Sequence, residues 1–330
     1  MTVLAAIPGL DPRAYARSPL HADGRIWPEK NCYVDIWIEL LNALQLEARA
    51  MLPFVLALDF EGDQWTFFKP VHGELYELYG LDVQELTVWK PLLEHALEHL
   101  PAGRMISTEA DAWWLPDAAG TDYRRNHVKT TIVLNAIDVG AGTLDYFHNA
   151  SYHRLSGEDF RALFRLDMPR DPAYLPLFAE FIRTERCRRR PAAALAVESR
   201  ALVARHLARR PRQNPVARFA DRFAAELPML QARGLDHYHQ WAFGTLRQLG
   251  AASELAAINL RWLEAQQVVA AEPAAVDFEF ISNTCKTLVL KGARAVNARR
   301  ALDVETPGAA MAEAWERAMA TLDRCVGAGG

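Results

Sequence analysis

Asn31-Cys32-Tyr33-Val34-Asp35-Ile36-Trp37-Ile38-Glu39-Leu40-Leu41-Asn42 is the stretch around which the rest of the chain is read. Asn31 is a good N-cap type, and Tyr33, Ile36, Trp37, Leu40, Leu41 and Leu44 recur at helical spacing, so a helix starting at Cys32 is predicted. Asp35, Glu39 and Asn42 leave only a narrow polar stripe, the pattern of a nearly buried helix. A thiol in the first turn faces unpaired backbone N–H groups and the positive end of the helix dipole, which favour the nucleophilic thiolate. Cys32 is therefore the candidate nucleophile, against the plainer reading of a small buried hydrophobe.

The bulk of the sequence fits a globular protein. Its 330 residues, 51% hydrophobic and 24% charged with a net charge of −4, give a prior of two domains. No apolar run approaches the ~18 residues that span a membrane. The first ten residues are apolar but lack a preceding basic segment, so no signal peptide and a cytoplasmic location are expected. Cys32, Cys187, Cys285 and Cys325 lie far apart without a C-x-x-C pair, which predicts free thiols and no metal.

An α+β fold class follows, with domains at 1–155 and 156–330. Residues 53–60 and 64–68 read as strands around the turn Glu61-Gly62-Asp63, residues 89–100 as a helix and 104–108 as a strand. The clearest strand is 127–137, rich in β-branched residues, with a turn at Val139-Gly140-Ala141-Gly142 before a partner at 143–148. After Ser156 strand signals vanish, and breaks at Pro and Gly cut the second half into six or seven helices.

A cysteine nucleophile needs a base and a group to orient that base. Six histidines follow Cys32 in the first half. His95 and His99 stand four residues apart on a Glu-rich helix and read as a solvated face. His127 opens the strongest strand after the polar turn 121–126, at a sheet edge where a side chain can look into a cleft, and is the candidate base.

This order, a Cys at the start of a helix, a His at the start of a strand and then a hairpin ending in Tyr146-Phe147-His148-Asn149-Ala150-Ser151-Tyr152, resembles the papain-like cysteine enzymes over residues 29–155. Glu109-Ala110-Asp111-Ala112-Trp113-Trp114-Leu115-Pro116, followed by His127, is similar to the aminoacyltransferase family of butirosin biosynthesis. The whole chain also resembles a bacterial family of unknown function found beside carrier-protein genes. The resemblance implies a papain-like domain, a central helix on an antiparallel sheet, joined to an all-helical domain. It implies an acyltransferase that moves an acyl group, aminoacyl in the likened family, from a carrier-protein thioester through Cys32 to an amine. His127 would be base and then acid, Asn149 its orienting residue, Asn31 with the Cys32 N–H the oxyanion donors, and Asp111, Trp113 and Trp114 substrate contacts. The chain would need no cofactor of its own, the phosphopantetheine being carried by the partner. A hairpin centred on Ala141 leaves Asn149 well short of His127 unless a bulge intervenes, so Asp145, Asp138 and Asp111 stay open as alternatives. A cysteine peptidase or amidase, and a non-catalytic carrier-binding module, are the competing functions.

Between Arg183 and Arg222 lie twelve arginines against three acids, a local charge of +9 in a chain of −4. Nucleic acid is disfavoured: Phe219 is the one aromatic residue there, no binding motif accompanies the segment, and the pI is about 6.2. An acidic acyl carrier protein suits such a patch, with Arg188, Arg189 and Arg190 at its centre, while solvation of helices by arginine is the plainer alternative.

Overall fold

A computed structural model describes residues 3–169 and 177–327. The strands are β1 (Leu4–Ala5), β2 (Phe60–Glu61), β3 (Gln64–Trp65), β4 (Asp82–Glu85), β5 (Arg104–Asp111), β6 (Lys129–Asp138), β7 (Thr143–His148), β8 (Ser151–Ser156) and β9 (Ala179–Arg183). The helices are α1 (Cys32–Ala43), α2 (His72–Tyr79), α3 (Leu92–His99), α4 (Gly157–Leu163), α5 (Ala192–Leu207), α6 (Pro215–Arg233), α7 (Leu235–Gly244), α8 (Leu246–Ala265), α9 (Glu272–Ala298) and α10 (Glu305–Gly327). They form an antiparallel-sheet domain followed by a helical region.

The chain divides into two compact units. The first takes Met1–Ala22, Asn31–Leu46 and Val71–Arg189, and the second Asp23–Lys30, Glu47–Pro70 and Arg190–Gly330. The first unit thus runs beyond the boundary expected at residue 155. Its seven-stranded sheet has the order β4-β9-β5-β6-β7-β8, with β1 on the far end of β6. β9, unforeseen after Ser156, lies between β4 and β5, pairing Val83 and Met105 each with Ile182. The predicted β6–β7 hairpin forms, with Val133 opposite Phe147 and Ile137 opposite Leu144. A bulge at Asn135 shifts the register between them. The buried Asn135 amide accepts from the Ile7 N–H at 2.8 Å and donates to the Tyr152 hydroxyl at 2.7 Å, satisfying the kink.

Apolar residues alternate along these strands as period two requires. Ile106, Ile132, Leu134, Leu144, Tyr146 and Leu155 pack with Ala96 of α3, Leu100, and Phe160 of α4 in one core cluster. α1 lies on β6, β7 and β8. It starts at Cys32 as predicted, capped by the Asn31 carbonyl oxygen, which accepts from the N–H groups of Tyr33 (3.1 Å) and Val34 (2.9 Å). Nearly the whole helix is buried, Asp35 and Glu39 of the polar stripe included.

α2 ends at Gly80, where φ is 74° and a Cβ would stand 2.0 Å from the Arg186 carbonyl oxygen. A left-handed non-glycine residue costs about 1–2 kcal/mol, and overpacking adds about 1–3. Gly80→Ala is therefore expected to lower stability by at least about 2 kcal/mol in chemical denaturation, and an unchanged midpoint would contradict this contact.

In the second unit, residues 53–60 are not the expected strand: Ala48–Ala57 is a 3-10 helix, and only Phe60 and Glu61 pair with β3. Residues 50–56 are all buried, so periodicity there carries no signal to separate a buried helix from a strand. Lys30, fully buried, lies 4.0 Å from Glu254, whose carboxylate also accepts the N–H groups of Ile26 and Trp27. Among the described residues, no helix is long and apolar enough to cross a membrane.

Candidate functional site

Val133, opposite Phe147, is the last residue of β6 paired with β7, and Lys129–Ile132 extend β6 beyond it. Cys32, half-buried, opens α1 where that helix packs on β6, with Thr130, Thr131 and Lys129 in the surroundings of its thiol. The Thr130 Oγ1 is in turn 2.8 Å from His148 Nε2, at the end of β7. His148 Nδ1 is 2.5 Å from an Asp117 carboxylate oxygen, on the 3-10 turn Pro116–Ala118. The same carboxylate accepts the Tyr146 hydroxyl and lies 3.8 Å from His153 Nε2. A hydroxyl, an imidazole and a carboxylate thus form one continuous hydrogen-bonded chain, with His148 only 2% exposed.

Burial pushes the Cys32 thiol above its ordinary range, and Asp35 adds to the rise. The Thr131 N–H, the Thr130 hydroxyl and Lys129 oppose it without reversing it. Desolvation thus works against the thiolate that the helix start favours. Burial also raises Asp117, but the hydrogen bond and charge of His148, with His153 and Tyr146, hold its carboxyl below the usual range. Asp117 is thus a carboxylate that accepts from His148.

His127 lies two residues before β6 rather than on it. Its side chain is 69% exposed, stacked on Trp113 at 4.5 Å between centroids, with Nδ1 2.6 Å from Asp111. Among the contacts of the described residues it meets Asp111 and Trp113, not Cys32. Asn149 sits in the β7–β8 turn with φ 47°. The β6–β7 register puts it near Thr131, about 13 Å short of His127, and the bulge at Asn135 does not close that gap. Asp111, one of the alternatives left open, is the residue that orients His127. Asp145 instead binds Arg154, and Asp138 caps the hairpin turn at Ala141.

Asp111, Trp113 and Trp114 do come together: Asp111 caps the Trp113 N–H at 3.0 Å, and Trp113 packs edge-on against Trp114. The Arg124 guanidinium lies 4.5 Å over the Trp114 ring. Asn31 is engaged as the helix cap, its side-chain carbonyl oxygen accepting from the Tyr33 and Val34 N–H groups. His95 is buried and stacks on His99 instead of forming a solvated face.

Two groupings escaped the sequence reading. His21, fully buried, bridges Asp35 (3.0 Å) and Glu39 (2.5 Å) on α1. The Tyr33 hydroxyl lies 2.8 Å from both His72 Nε2 and a Glu180 carboxylate oxygen. Neither has a local sequence signal.

Much of the arginine charge is met within the chain. Arg188 donates to the Glu77 carbonyl, Arg190 to Glu198, Arg183 to Asp82, Arg210 to Asp323 and Arg218 to Asp59. Arg189 adds positive charge beside Cys187.

Fold and site together define a two-part protein whose sheet unit sets a cysteine at a helix start beside a histidine–aspartate pair. The DUF1839 N-terminal domain model matches residues 16–184 and the DUF1839 C-terminal domain model residues 192–324. The chain belongs to the DUF1839 family. No curated protein matches it.

Proposed function

We propose that the chain is a cysteine-dependent acyltransferase, its first unit a papain-like catalytic domain. One observation carries this reading: Cys32 opens a buried helix that packs on the strand carrying Thr130, and the Thr130 hydroxyl is joined to a His148–Asp117 pair. In this scheme Cys32 attacks the carbonyl carbon of a thioester. His148 accepts the proton released and later returns it, while Asp117 orients the imidazole and stabilises its charge. A neutral thiol suits general-base activation, in which the proton leaves as the bond forms. The Cys32 N–H at the head of α1 faces the developing oxyanion, with the Asn31 side chain beside it.

The acyl donor is an acidic acyl carrier protein whose phosphopantetheine arm brings the thioester, and the acceptor is a small amine, the whole acting in the cytoplasm without a metal. Asp111, Trp113 and Trp114 offer an aromatic and acidic surface to the acyl group. Arg188, Arg189 and Arg190 are the docking residues for the carrier, with Arg189 at their centre because its neighbours are engaged within the chain.

Intact-protein mass spectrometry after mixing with acyl-loaded carrier proteins tests this. A mass increase equal to the acyl group is expected, discharged by amines and lost in Cys32→Ala. Discharge by water alone would make the chain a hydrolase. Carrier binding with no adduct across the panel would overturn the enzyme and leave a binding module.

A further inference from the structure

The arginine-rich segment also shapes a cavity that the acyl transfer proposed above does not use. It measures about 550 Å³ and lies between the last turns of α5 and α10, within the second unit. Ligand cavities commonly span about 300–1,000 Å³, so this one has room for a small organic molecule. Ala204, Leu207, Pro211 and Val326 give it an apolar wall, and Arg210, Arg212 and Asp323 its polar side. Arg210 Nη1 and Nη2 meet the two Asp323 carboxylate oxygens at 2.6 and 2.9 Å, a bidentate pair that fixes the guanidinium plane. A guanidinium carries more N–H donors than this pair uses, so others remain for a ligand. Arg212 is exposed, with no ion pair among the described residues. Arg200 donates to the Val326 carbonyl at 3.4 Å and ties the end of α10 to α5.

Charge decides which ligand fits. Two helix C-termini meet here, each worth roughly half a negative charge, and Asp323 adds a whole one. Against them stand five arginines and no acid from Arg200 to Arg212, so the surroundings stay net positive. An inorganic anion would leave the apolar wall uncovered. A nucleotide would find no ring to stack on, since no aromatic side chain lines the cavity among the described residues. We propose that this cavity binds a small organic carboxylate. Its charged end meets Arg212 and the free edge of Arg210, and its apolar body lies along Leu207, Pro211 and Val326. The site stands independently of the acyl-transfer reading, because neither Cys32 nor a carrier protein takes part in it.

Calorimetric titration of the full chain with hexanoate tests the proposal. Hexanamide keeps the shape without the charge, and acetate keeps the charge without the body. Each is expected to bind at least about ten-fold more weakly than hexanoate, one for want of a charge-assisted hydrogen bond and the other for want of buried methylenes. Arg212→Gln should weaken hexanoate at least about ten-fold while leaving hexanamide unchanged. Ala204→Trp, at an exposed position on the wall, should fill the space and abolish binding of all three. Denaturation midpoints near wild type confirm that both variants fold. No hexanoate binding to the wild type would overturn the site. Equal affinity for hexanoate and hexanamide would show that the charge is not read, and equal affinity for hexanoate and acetate would reduce the cavity to a plain anion patch; either result overturns the proposal. Wild-type hexanoate affinity in Arg212→Gln or in Ala204→Trp would place the ligand elsewhere and overturn it as well.

Discussion

Replacing His21 by alanine is expected to destabilise the protein by about 3–5 kcal/mol, the usual cost of removing one partner from a buried charged cluster. The ring is fully buried and holds Asp35 through Nε2 and Glu39 through Nδ1, two carboxylates one turn apart on α1. Glu39 keeps the Ser18 N–H at 2.9 Å and the Tyr15 hydroxyl at 2.7 Å. Asp35 loses the imidazole that stands 3.0 Å from it, in surroundings too enclosed for full hydration. Because Cys32 opens the same helix, the loss should also loosen the thiol, seen as faster alkylation of Cys32 in the native state. Chemical denaturation measures the first effect. A loss below about 1 kcal/mol would show that the cluster is not a strong buried pairing.

Much of the first unit was legible in the sequence because its signals are local. The Asn31 cap, the apolar face of α1, the β-branched run of β6 and the turn at 139–142 each lie within a dozen residues and agree with one another. β9 was illegible: Ala179-Glu180-Phe181-Ile182-Arg183 is short, and it becomes a strand by pairing with β4 and β5, each some seventy or more residues earlier. The 3-10 helix at Ala48–Ala57 was hidden by uniform burial.

The candidate site was half legible. Cys32 could be singled out from its helix, but the choice among histidines depends on where β7 ends relative to β6 and on a turn that brings Asp117 in from outside the sheet. His127 stands before the strand and takes Asp111 as its partner, so strand position alone selected it over His148. One usable signal was present: Tyr146 and His148 share a face of β7, which places that histidine beside a buried aromatic rather than at an open edge. The network through Thr130 depends on geometry that no spacing rule encodes.

The central claim is that His148, not His127, serves Cys32, and paired glutamine variants test it most directly. Glutamine keeps much of the volume and a hydrogen-bonding end at either position but cannot accept a proton at neutral pH. Single-turnover acylation of Cys32 at saturating donor is the measurement, with folding of both variants checked by denaturation. The account predicts that His148→Gln slows acylation about a hundred- to ten-thousand-fold while His127→Gln stays close to wild type. A large loss in His127→Gln with His148→Gln unaffected would contradict it and restore the pairing expected from strand order.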